Sequence, residues 1–181
     1  IIERHYQRLQ QRIMEYQTSL DLLMRLQQRK EQVVTYKIRI QAVEPYPVAA
    51  IGMRMPWGQF GEVVGPGFGE IATYLGEINA TMTGAPMLLY HWTGAIPDGE
   101  EGDGELQIAI PVATPIVESE RIKNQMVPGG ITACTTHIGP YEEITRAYQA
   151  IQGWLQEFGH EFAGLCWEIY VTDPGETPDP A

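Results

Sequence analysis

An α+β fold is what this 181-residue sequence predicts, and three observations predict it. First, an ungapped echo at a spacing of 80 residues pairs Glu62 with Glu142, Val64 with Ile144, Phe68 with Tyr148 and Ile71 with Ile151. The same offset pairs Tyr74 with Trp154, Leu75 with Leu155, Gly84 with Gly164 and Tyr90 with Tyr170, so the matches fall on packing residues and a turn glycine. Second, each copy brackets one stretch of helical spacing with stretches of period-2 alternation, the pattern of β-β-α-β. Third, the chain opens on a heptad seam unlike either copy.

The seam runs Ile2, Tyr6, Leu9, Ile13, Tyr16, Leu20 and Leu23 at steps of 4, 3, 4, 3, 4 and 3. Ile2, Leu9, Tyr16 and Leu23 take one core position of the heptad, and Tyr6, Ile13 and Leu20 take the other. Gln, Arg and Glu fill the intervals, and neither Gly nor Pro interrupts before Pro45. The spacing predicts a dimerisation helix within 1–33, of about 30 residues and about 45 Å. Its stripe is too narrow to pack into a globular core alone and calls for a second helix, so a homodimer is expected. The alternative is a helix folded back on its own domain.

Residues 34–181 then read as the second domain, with one copy over 34–113 and the other over 119–181. Val34 to Val43 alternates as a strand, Pro45 and Pro47 turn the chain, and Val48 to Met55 is a second strand. Phe60 to Asn79 has helical spacing, but Gly65-Pro66-Gly67 interrupts it, so the regular helix is expected from near Gly67, closed by Thr83-Gly84. Pro86 to Trp92 is a strand, 94–104 a solvated acidic hairpin loop without the ligand spacing of a Ca²⁺ site, and Leu106 to Val112 a strand. The second copy supplies strands at Arg121 to Val127 and Ile131 to His137 around a Pro128-Gly129-Gly130 turn. Pro140 suits the first position of a helix over Tyr141 to Phe158, with Glu142 and Glu143 at its positive end. Gly159 ends that helix, Leu165 to Val171 is the last strand, and the proline-rich tail from Thr172 is a loop. The sum is an antiparallel sheet with helices on one face and a ligand groove between the two copies.

Charge narrows the function. Residues 1–31 hold six Lys/Arg against four Asp/Glu, whereas the other 150 residues hold six against nineteen. That acidic body repels a phosphate backbone, and its surplus carboxylates either serve only to keep the chain in solution or make a field that favours cationic ligands. No apolar run approaches a membrane span and the N-terminus has no signal-peptide pattern, so a cytoplasmic protein without membrane contact is expected. Cys134 and Cys166 lie in strand-like segments. Two cysteines do not make a secreted framework, and buried free thiols are expected, with a bridge between them still compatible.

The chemistry is expected where the echo breaks. Leu88 pairs with Glu168, an aliphatic with a carboxylate. Alternation sets Cys166, Glu168 and Tyr170 on one face and Trp167, Ile169 and Val171 on the other. Leu88 and Tyr90 match the first set, with Trp92 one step further. The Ile169 and Val171 face suits burial under the helices, which leaves the Glu168 face as the open groove. A carboxylate flanked by aromatic rings receives a lipophilic cation. The alternative has Glu168 in solvent or paired with Arg54 or Arg146. His5, His91, His137 and His160 lack ligand spacing, Ser19 and Ser119 lack an elbow, and Gly65 to Gly69 holds no Lys. No metal, catalytic triad or cofactor is expected.

Three runs carry a family resemblance: His137-Ile138-Gly139-Pro140-Tyr141-Glu142-Glu143-Ile144, then Trp154-Leu155, then Trp167 through Pro174. Together they resemble the GyrI-like small-molecule-binding domain. The heptad helix leading into Tyr46-Pro47-Val48-Ala49-Ala50-Ile51-Gly52 is similar to the linker and effector domain of MerR-family transcription regulators. The resemblance implies a hydrophobic, cationic or aromatic drug-like ligand met by Glu168 with Tyr170 and Tyr90 as aromatic neighbours, and Leu88, Trp92, Cys166 and Tyr141 complete the expected ligand-binding set. It also implies a winged-helix DNA-binding domain ahead of the linker and a final strand after the tail, neither of which these residues contain. The chain is therefore expected to be the sensing piece of a longer regulator, reaching DNA only through that other domain. Two alternatives stay open: a GyrI-like hydrolase of reactive drugs using Glu168 and a groove tyrosine, and a GyrI-like protein inhibitor.

Overall fold

The computed structural model describes residues 36–56, 59–91 and 103–172. The expected helix over 1–33 with its seam, Trp92, most of the acidic loop and the tail from Asp173 lie outside the described residues. In chain order the elements are β1 (Arg39–Val43), β2 (Tyr46–Pro56), α1 (Phe60–Glu77), β3 (Met87–His91) and β4 (Asp103–Pro111). There follow β5 (Lys123–Val127), β6 (Gly130–Cys134), a 3-10 turn (Tyr141–Glu143), α2 (Thr145–Glu157) and β7 (Leu165–Ile169). The α+β reading holds, with one change of layout. The strands form two antiparallel groups, a five-stranded sheet ordered β5-β2-β4-β3-β7 and a two-stranded pair β1-β6.

Burial explains why these segments are strands. Ala49, Ile51, Leu106, Ile108, Ile110 and Leu88 point to one face and bury against Ile71 and Leu75 of α1. Val48, Ala50, Met87, Leu89, Ala109 and Val127 point to the other, with Tyr46, Leu165 and Trp167 packed on them. The central strands are therefore apolar on both faces, which is why they read as runs as much as alternations. Ile71 and Leu75 are fully buried, each contributing about 1.5–3 kcal/mol by area removed from water.

Helix α1 corrects the expected start near Gly67. It runs unbroken from Phe60 with Pro66 inside it. Gly65 before the proline has no Cβ to clash with the ring, and both residues face solvent, so water reaches the carbonyl left unpaired. Gly67 has another role. A Cβ there would lie 2.4 Å from Ile108 Cδ1, so the glycine sets how closely α1 approaches β4.

The helix also ends before the expected Thr83-Gly84. Asn79 adopts a left-handed φ of 55°. Its N–H donates to the Gly76 carbonyl at 3.2 Å, and the Ala80 N–H donates to Leu75 at 2.9 Å. That is a Schellman motif. Eighty residues on, Gly159 at φ 69° closes α2 with His160 N–H to Leu155 at 2.8 Å, the same motif. The start of α2 differs from expectation too: Pro140 precedes a separate 3-10 turn, and the α-helix begins at Thr145. No described helix is long and apolar enough to cross a membrane.

Candidate functional site

The site begins with one strand pairing. In the β3–β7 ladder the partner of Leu88 is Glu168, the residue 80 further along the chain. Antiparallel strands related by a fixed offset meet their own image at a single position, so the local two-fold axis passes through this pair. Tyr90 faces Cys166 across the same ladder, and the Tyr170 N–H extends it to the Pro86 carbonyl at 2.9 Å.

Leu88, Tyr90, Cys166, Glu168 and Tyr170 do share a face, but it is the helix face and not the open one. Leu88 is buried among Ile71 and Leu75, with Tyr90, Tyr170 and Phe68 packed on the same cluster. Ile169 and Val171, expected under the helices, are 53% and 81% exposed. Alternation divides a strand's residues into two sets without saying which set the helices cover. Here α1 requires an aliphatic floor, and Leu88 supplies it.

Both helices contribute walls. Phe60 of α1 stacks on Tyr90 with ring centroids 6.4 Å apart. Phe68, two turns on, meets Tyr170 edge-on at 5.8 Å. Tyr141 of the 3-10 turn also tilts against Tyr170, at 5.7 Å. Tyr148 of α2 donates its hydroxyl proton to Glu168 Oε1. Tyr170 donates to Glu168 Oε2 at 2.7 Å, so each carboxylate oxygen holds a phenol. Tyr90 in turn hydrogen-bonds to the Tyr170 hydroxyl.

Electrostatics keep these donors in place. Burial first, and the Glu168 charge second, push the phenols of Tyr90, Tyr148 and Tyr170 well above their ordinary range. They stay protonated and continue to donate. The same two causes raise the Cys166 thiol to about 12, so it is an apolar wall and not a nucleophile. Cys134 and Cys166 are both free thiols, as expected, but they are half-buried where full burial was expected. Arg146, weighed as a partner for Glu168, binds Glu143 at 2.8 Å.

The expected site residues Glu168, Tyr170, Tyr90, Leu88, Cys166 and Tyr141 thus come together, with Leu88 as floor, while Trp92 lies outside the described residues. Phe60, Phe68 and Tyr148 were missed. Tyr148 had a signal: its echo partner is Phe68, a second place where hydrocarbon is replaced by a polar group.

A separate hollow of about 430 Å³ lies along β2 where β5 stops pairing, bounded by Gly52, Gln107, Glu120, Arg121, Lys123 and Gln125 among others. None of the residues around Glu168 lines it. Arg121 and Lys123 are exposed and already paired, with Glu70 at 3.2 Å and Glu118 at 3.4 Å. Such exposed pairs contribute little. The half-buried carboxylate among aromatic rings is the site with chemistry to offer.

An aromatic-walled carboxylate beneath two helices of an antiparallel sheet defines a small α+β domain suited to organic molecules. The chain belongs to the GyrI-like family, matching its small molecule binding domain over residues 36–181. No curated protein sequence matches it. Among solved structures it resembles the C-terminal domain of EcmrR at TM-score 0.69 and 18% identity, covering 82% of this chain and 92% of that one. EcmrR in a cryo-EM DNA complex matches at TM-score 0.69 and 19% identity over 99% of this chain and 67% of that one. A hydrolase from Listeria innocua matches at TM-score 0.52 and 15% identity, covering 85% of this chain and 91% of that one. At these identities the likeness is one of fold.

Proposed function

We propose that this chain is the ligand-sensing part of a MerR-type transcription regulator, binding a hydrophobic molecule that is cationic or aromatic. The observation that carries the reading is Glu168, a carboxylate held by two phenols inside a ring-lined site. Neutral phenols solvate its charge without cancelling it. A cation set among Phe60, Phe68, Tyr90 and Tyr141 supplies the missing counter-charge, and each ring adds about 0.5–2 kcal/mol of cation–π attraction. The acidic body favours the same sign of ligand. In this reading 34–181 is the effector domain, built of the two copies. Residues 1–33 form the dimerising linker, and occupancy reaches DNA through a domain outside these residues, as the likeness to EcmrR suggests. A ligand shifts the regulator only by binding one arrangement better than another.

Glu168→Gln keeps the shape and removes the charge. Affinity for crystal violet, a lipophilic cationic dye, is expected to fall about tenfold or more, measured by fluorescence or calorimetry. Unchanged affinity would sink the charge-recognition claim. A second reading, hydrolysis of a reactive drug, draws on the Tyr148–Glu168 contact, which sets an acid beside a phenol. Incubation with alkylating compounds separates the two: product favours hydrolysis, and stoichiometric binding without product favours sensing.

A further inference from the structure

The β1–β6 pairing does not stop at the end of its ladder. Arg39 faces Cys134, and continuing that register by three residues sets Tyr36 opposite His137. Side chains carry it across: Thr135 Oγ1 donates to the Lys37 carbonyl at 3.2 Å, and the Tyr36 and His137 rings stack at 6.1 Å. His137 is then held at both nitrogens. Its Nε2 lies 2.9 Å from the Pro140 carbonyl and its Nδ1 lies 2.7 Å from the Tyr36 hydroxyl. A carbonyl only accepts, so Nε2 carries a proton, and the tautomer with its single proton there has Nδ1 accepting from the Tyr36 hydroxyl.

Pro140 is the residue before the 3-10 turn that carries Tyr141. Tyr141 lies on Tyr170, and Tyr170 holds Glu168. A path of direct contacts therefore runs from the carboxylate through Tyr170, Tyr141, Pro140 and His137 to Tyr36. Tyr36 is the residue to which residues 1–35 are joined. The weak element along it is the 3-10 turn. In α1 the corresponding stretch, from Phe60 on, is regular helix, whereas Tyr141–Glu143 is a single tight turn apart from α2. Short 3-10 pieces have poorer hydrogen bonds and mark places where a helix end shifts. Tyr141 is 44% exposed, so little burial opposes its movement.

We propose that Tyr36 and His137 are positioning residues that tie the state of the Glu168 site to the point where residues 1–35 join the domain. When a ligand wedges between Tyr141 and Tyr170, the turn moves, Pro140 moves with it, and the His137–Tyr36 clamp loosens. By reciprocity, loosening the clamp alters the site. The regulatory use of this coupling rests on the sensing role proposed above, but the coupling itself is readable without any ligand.

The test is amide hydrogen exchange of residues 37–43, read in two arms. Without ligand, Tyr141→Ala is expected to speed their exchange about fivefold in an otherwise native chain. Combined with Tyr36→Phe, which keeps the ring stack and removes the donor, it is expected to add less than about twofold. With saturating crystal violet, exchange over 37–43 rises about fivefold in the native chain and less than about twofold in Tyr36→Phe, whose affinity for the dye rises by no more than about fivefold. Tyr141→Leu replaces the alanine variant if that one does not fold. Unchanged exchange in Tyr141→Ala, or the same increase in both backgrounds, overturns the coupling. Failure of the dye to bind counts against cation sensing, and the ligand-free arm still decides the coupling.

Discussion

The region up to residue 113 and the region after it carry matching residues and use them for different ends. Ile71 and Leu75 of α1 are fully buried over Leu106, Ile108 and Ile110 of β4. Their counterparts Ile151 and Leu155 on α2 are only half-buried, and Ala147 is the one buried residue of that helix. The difference has a visible cause. β4 lies between β2 and β3, and no described strand takes the corresponding place between β6 and β7. What the second region lacks in apolar floor it has in polar groups: Phe68 becomes Tyr148, and Leu88 becomes Glu168. The first region is scaffold and the second is chemistry.

Core truncations probe that division most strongly. Leu75→Ala leaves a cavity in a fully buried layer and is expected to cost about 3–4 kcal/mol, whereas Leu155→Ala is expected to cost less than about half of that. Equilibrium unfolding in urea, followed by tryptophan fluorescence, compares the two. Equal losses would mean that both helices rest on equally complete cores and would break the comparison.

Alkali tests the polar side. The phenols of Tyr90, Tyr148 and Tyr170 are raised above the ordinary value of 10.0 in the folded chain, chiefly by burial. Above pH 10 the unfolded chain releases these protons and the folded one keeps them, so the unfolded state binds fewer protons and stability falls. The contribution is fully present below pH 10 and is lost at about 1.4 kcal/mol per pH unit for each phenol that stays protonated. Absorbance at the phenolate band is expected to rise in step with unfolding for these three tyrosines. Ionisation of all nine tyrosines near pH 10 with the fold intact would contradict the buried network.

Much of this was legible in the chain because local patterns encode it. The strand expected over Val48 to Met55 is Tyr46–Pro56, and the one expected over Pro86 to Trp92 is Met87–His91. Alternation and turn residues act over a few positions, so such elements can be read directly. The echo reached further, since the pair that broke it, Leu88 and Glu168, proved to be cross-strand neighbours. The failures were of another kind. Pro66 sits within α1 because packing of Gly67 against Ile108, a contact 41 residues away, outweighs a local helix breaker. The face of Glu168 was misjudged because only tertiary packing decides which side of a strand the helices cover. Tyr148 is 20 residues from Glu168, and only folding reveals that it reaches the carboxylate.

The smallest expected effect sharpens the comparison at its finest point. Tyr148→Phe gives the second region the residue that the first already has at Phe68, so the ring is expected to fit without repacking. Only the hydroxyl is lost, and with it the donor to Glu168 Oε1. A hydrogen bond to a charged group contributes about 1.5–3 kcal/mol, and the remaining donor Tyr170 places this variant near the lower end. The double variant Tyr148→Phe with Glu168→Gln settles whether the cost belongs to the pair. If hydroxyl and carboxylate act as one unit, the two losses are non-additive by about 1 kcal/mol in urea unfolding. Strict additivity would mean that the Tyr148 hydroxyl acts independently of the Glu168 charge, and the polar character of the second region would then rest on Glu168 and Tyr170.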